Sequence, residues 1–89
     1  MYTGTTSWAK ELKEEFEARG DDYSKMVTTL SEEKLNREFD AGYGWVNGSE
    51  FTAWGEKYVY FPVVYDGAES VGSAPRNPCD EATGHVGGW

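Results

Sequence analysis

Apolar residues recur along the first quarter of the chain at the spacing of a helix. Trp8, Leu12 and Phe16 stand at i, i+4 and i+8, which stacks them on one stripe and leaves the flanks to solvent. Thr6 or Ser7 is placed to cap the first turn. Gly20, after Arg19, can take the left-handed conformation that ends a helix. A helix over residues 7–19 is predicted. Asp21-Asp22-Tyr23-Ser24 reads as a turn, and residues 25–30 are undecided, with Met26, Val27 and Leu30 compatible with a short helical turn. A second helix is predicted over residues 31–41. Ser31 is its N-cap, Glu32 and Glu33 suit the positive end of the helix dipole, and Leu30 and Leu35 form a hydrophobic staple. Leu35 and Phe39 carry its apolar face, and Gly42-Tyr43-Gly44 breaks it.

Beyond residue 44 the period changes. A loop over 44–49, with Asn47-Gly48 as its turn signal, leads to three predicted strands at about 51–54, 57–65 and 68–73. Gly55-Glu56 and Asp66-Gly67 are the predicted hairpin turns. Residues 75–89 hold two of the three prolines and several glycines; Asn77 and Pro78 look like a short helix start, and little regular structure is predicted after Gly84. The elements together predict one α+β domain over residues 1–89. Its architecture would be two N-terminal helices packed on a three-stranded antiparallel meander (ααβββ), with an irregular C-terminal tail.

The middle strand is unusual. Tyr58, Tyr60, Pro62 and Val64 alternate with Val59, Phe61, Val63 and Tyr65, so both faces are apolar or aromatic. Two helices cover one face of a small sheet; the other needs the tail, a second copy of the chain or a partner. Pro62 cannot donate to a central ladder, which predicts a bulge there.

Composition sharpens this picture. With 89 residues, folding buries only about 60% of the unfolded surface. Aromatic residues make up 16% of the chain and supply large buried areas, which lets a short chain assemble a core. Sixteen acids against eight bases give a net charge of −8, which repels nucleic acid and anionic membranes and favours basic surfaces. Residues 1–50 hold eleven acids and six bases, a net −5, and residues 51–89 hold five and two, a net −3, so the acids crowd the part read as helical. No apolar stretch reaches the length of a membrane span. Residues 1–4 lack the basic region and apolar run of a signal peptide. The single cysteine, Cys79, rules out an internal disulfide and fits a reducing compartment. A cytoplasmic location is the expectation.

Candidate chemistry is sparse. Cys79 and His85 are the only thiol and imidazole, have no evident third partner for nucleophilic catalysis, and match no zinc template. No phosphate loop, helical His pair or calcium loop is present, and Glu14-Glu15 sits on a solvated face. No catalytic residue, metal or cofactor is expected. An aromatic sheet can stack nucleic-acid bases, but residues 51–89 offer only Lys57 and Arg76 against phosphates.

Carboxylates along helices can instead imitate the phosphates of a duplex and occupy a basic channel on another protein. The candidates are Glu11, Glu14, Glu15, Asp21, Asp22, Glu32, Glu33 and Asp40, with Tyr58 and Tyr60 as aromatic anchors. In small size, acidity and lack of a catalytic set the chain resembles small phage-encoded inhibitors of bacterial defence systems, anti-CRISPR proteins among them. That likeness of composition implies a non-enzymatic binder of a basic protein or nucleoprotein complex, acting in the host cytoplasm. The alternative is a homo-oligomeric module, possible as a homodimer, that buries an aromatic sheet face.

Overall fold

The computed structural model describes residues 5–40, 47–65 and 68–86. The chain runs β1 (Thr5–Ser7), α1 (Trp8–Arg19), a 3-10 turn (Tyr23–Lys25), β2 (Val27–Thr28), α2 (Glu32–Asn36), β3 (Glu38–Asp40), β4 (Ala53–Trp54), β5 (Tyr58–Tyr65) and β6 (Ala68–Pro75). β1 and β3 pair as a two-stranded sheet, and β2-β4-β5-β6 form a four-stranded one. All neighbours are antiparallel. The fold is α+β, but it is not two helices on a three-stranded meander. One full helix, a single-turn helix and two sheets replace that arrangement.

The physics of α1 is local. The Ser7 side chain accepts from the Lys10 N–H, and Gly20 adopts φ 68° and donates to the Glu17 carbonyl at 3.2 Å. Trp8, Leu12 and Phe16 are buried as one stripe. They meet Leu30, Phe39, Phe51, Ala53 and Tyr60 in a single core. Phe16 stacks on Tyr60 with ring centroids 4.0 Å apart. Trp8 lies 4.9 Å from both Phe39 and Phe51.

The second helix begins as predicted and then stops. Ser31 caps it by accepting from Lys34, and Leu30 is buried with Leu35 packed against the core. At Arg37 the backbone turns extended, with ψ 130°, and residues 38–40 become a strand instead of continuing to 41. The reason is tertiary. Pairing of Phe39 with Thr6 across β1 and β3 delivers its ring to Trp8, a contact worth more than another helical turn of moderate propensity. The undecided segment 25–30 forms no helix either; Val27 and Thr28 pair with Trp54 and Ala53.

The β4-β5-β6 part is a meander with small shifts from the prediction. Gly55 donates to the Tyr58 carbonyl at 2.8 Å, so the turn holds Glu56 and Lys57. The Asp66-Gly67 turn, the 42–44 breaker, residues 44–46 of the 44–49 loop and residues 87–89 of the tail lie outside the described residues. No bulge occurs at Pro62. The β5-β6 register is unbroken from Tyr58↔Pro75 to Tyr65↔Ala68. Arg76 donates to the Lys57 carbonyl, so odd-numbered residues of β5 direct their backbone groups to β6 and even-numbered ones towards β4. β4 pairs only with Val59 and Tyr60, so the missing N–H of Pro62 falls where no strand asks for it. The helix start at Asn77-Pro78 does not develop; residues 76–86 are irregular and residues 76–86 are exposed.

Candidate functional site

Four of the eight candidate carboxylates are committed to the fold. Asp21, just past the end of α1, accepts from the Tyr60 hydroxyl at 2.9 Å. It also accepts from the N–H groups of Glu56, Lys57 and Tyr58 at 3.1, 3.3 and 3.1 Å and from the Asp22 N–H at 3.0 Å. One carboxylate thereby ties the end of α1 to the β4-β5 turn. Gly55 is the counterpart of this approach, because a Cβ there would run into the Asp21 carboxylate and the Phe16 ring. Burial pushes the Asp21 pKa up, but the Tyr60 hydroxyl and the backbone donors outweigh it and hold the group below the usual carboxylate value. The Tyr60 hydroxyl is raised far above its usual value, first by burial and then by the Asp21 carboxylate.

Glu15 and Glu11 serve similarly. Ser73 on β6 donates to Glu15 at 2.7 Å and accepts from Arg19 at 2.8 Å, with Arg19 also 3.4 Å from Glu15. Arg19 then lies 5.2 Å from the Tyr58 ring centre and 3.8 Å from Glu81, which accepts from the Tyr58 hydroxyl at 2.6 Å. This chain docks the start of the tail beside α1. Glu11 accepts from Thr6 at 2.6 Å. Asp22 caps the 3-10 turn through both the N–H and the hydroxyl of Ser24, which hold its pKa down. The sequence shows the acids on one flank of α1 but not that Ser73, 58 residues on, completes the site.

The remaining candidates face outwards. Glu14 is exposed, 4.0 Å from an equally exposed Lys10. Glu32, Glu33 and Asp40 are exposed on α2 and β3. The aromatic anchors are not at the surface in the way expected: Tyr60 is fully buried, and Tyr58 is partly buried in the network with Arg19.

The apolar surface lies on the opposite parity of the strands. The inner face of the large sheet, with Tyr60 and Ser73, packs under α1. By the register, the outer face carries Val27, Trp54, Val59 and Ala74 in one row, Phe61 beside Gly72 in the next, and Val63 beside Ser70. A Cβ at position 72 would come within 2.7 Å of the Phe61 ring, so the ring lies across the glycine and keeps the face flat. Val27 is 64% exposed, and Trp54, Val59, Phe61 and Val63 are half-buried. Even alternation along residues 58–65 was the signal for it; which parity turned inwards was undecidable until the helix was placed.

Chemistry elsewhere is thin among the described residues. Cys79 is exposed, His85 is exposed in the irregular tail, and no cluster of three His, Cys, Asp or Glu side chains is positioned to hold a metal. A shallow pocket of about 180 Å³ is lined by residues 48–50, Pro62, Val63, Val64 and Glu69. Its one buried acid, Glu69, accepts from the N–H groups of Asn47 and Gly48 at 2.7 and 2.9 Å, which is a loop clamp. No helix among the described residues is long and apolar enough to cross a membrane. No protein-family model matches the sequence, no curated protein matches it, and no solved structure matches the fold.

Proposed function

We propose that this chain is a non-enzymatic, acidic protein-binding module, and most concretely a phage-type inhibitor that blocks a basic nucleic-acid-binding or nuclease complex in the host cytoplasm. The observation that supports it is the net charge of −8 together with the crowding of acids on the helical part of the chain. Ten of the sixteen acids, against six of the eight bases, fall within residues 1–40, which include α1, α2 and both strands of the small sheet. After the structural carboxylates are set aside, Glu14, Glu17, Glu32 and Glu33 remain as exposed acids on the two helices. Such a surface steers towards cationic partners and repels nucleic acid.

The test follows from that division of labour. A partner is captured from host lysate on the full chain and its affinity measured between low and high salt. Binding should weaken steeply, because exposed charges are screened beyond about 8 Å at physiological salt. The triple variant Glu14→Lys, Glu32→Lys, Glu33→Lys should lose about tenfold or more in affinity while keeping its unfolding midpoint. Association insensitive to both salt and charge reversal overturns the reading. Glu11, Glu15 and Asp21 are poor probes, since reversing them disturbs the fold first.

A further inference from the structure

We infer that the outer face of the β2-β4-β5-β6 sheet is a self-association surface, on which a second copy of the chain packs face to face about a twofold axis. The face is apolar and flat, with Trp54 and Phe61 at its centre and Val27, Val59 and Val63 around them.

Charge decides the occupant. Two copies that each carry −8 repel wherever their acidic layers meet. The outer face is where that repulsion is least. Of the described charged residues at its borders, Glu56 is paired with Lys25 at 3.4 Å. Lys57 and Arg76, turned onto the carbonyls of Gly20 and Gly55 at 3.5 and 2.8 Å, keep their positive charge and offset the exposed Glu50, so the described border carries no excess of acids. A strongly basic partner has nothing to hold on this face, whereas an identical apolar face matches it without a charge to bury. Face-to-face packing also sends the two acidic layers to opposite ends of the dimer, so the pair presents the proposed binding surface twice.

Area sets the strength. The eight-residue β5 and β6 with the two-residue β2 and β4, at about 4.8 Å between strands and about 3.3 Å rise per residue, outline roughly 300 Å² of sheet, below the about 800 Å² per partner of a standard stable interface. The dimer is therefore concentration-dependent, with a dissociation constant on the order of micromolar or weaker.

Sedimentation of the purified full chain, without any partner, separates this inference from the proposed function. The expected result is a monomer at about 1 µM that becomes largely dimeric by several hundred micromolar. Val27→Glu, at an exposed position, should weaken the dimer about tenfold or more while leaving the unfolding midpoint of the dilute monomer in place; Glu14→Lys on the opposite side should leave dimerisation intact. A chain that stays monomeric at several hundred micromolar overturns the inference, as does a dimer that survives both Val27→Glu and Val63→Glu. A monomer whose Phe61 and Trp54 prove shielded by its own chain overturns it as well.

Discussion

Replacing Asp21 with alanine is expected to lower folding stability by about 2 to 3 kcal/mol, a fall of roughly 10 to 20 °C in the thermal midpoint of a domain this size. The substitution takes the acceptor from the Tyr60 hydroxyl and from four backbone N–H groups at once. The turn amides can recover hydrogen bonds from water, but the buried tyrosine loses its charged acceptor. Tyr60→Phe is the milder control. It removes one donor, keeps the ring stacked on Phe16, and should cost about 1 kcal/mol.

The same hub sets the pH dependence. A carboxyl held below its unfolded value contributes stability that is complete above about pH 4 and is lost as pH falls through the folded value. Tyr60 is raised, so its contribution is complete below about pH 10 and declines above it. Urea midpoints of the native chain should therefore hold between those limits, fall on the acid side, and fall less steeply there in Asp21→Ala. Identical acid limbs for the two proteins would show that the hub does not carry the effect.

Trp8→Ala should be the most damaging single change, at about 3 to 5 kcal/mol, out of a total of about 5 to 15 for a domain. Trp8 is 1% exposed and joins three parts of the chain: Phe39 of β3, Phe51 ahead of β4, and the Ser49 carbonyl, to which its indole N–H donates at 3.0 Å. Its loss opens a cavity where the small sheet meets the loop into the large one. Trp8→Phe keeps most of the packing and strands the carbonyl, so it should cost less than half as much. Chemical denaturation of the three proteins gives the comparison. Equal effects for alanine and phenylalanine would mean that the hydrogen bond, and not the ring, holds the junction.

Much of the first helix and the β4-β5-β6 hairpins was legible because their signals are local. The stripe of Trp8, Leu12 and Phe16, the Ser7 cap and the Gly20 terminus all lie within a dozen residues of one another. The second helix misled for a matching reason. Leu35 and Phe39 have helical spacing, and a three-residue strand such as Glu38–Asp40 is too short to show a period of two. β1 and β2, of three and two residues, left no pattern either. In the candidate site, the exposed positions of Glu14, Glu32 and Glu33 followed from their helix faces. The roles of Glu15 and Asp21 did not, since their partners lie 58 and 39 residues away.

The sequence by itself determined the charge, the sparse catalytic chemistry, the first helix and the existence of a strand apolar on both sides, because composition and short-range periodicity fix these things. The tertiary structure decided which acids are structural and which face solvent. It decided that Tyr60 is core while Trp54 and Phe61 lie half-buried on the other face of the sheet, and that Phe39 serves a sheet. Each of these depends on a contact between residues far apart in the chain, and the free energy of such a contact is written in neither partner's neighbourhood.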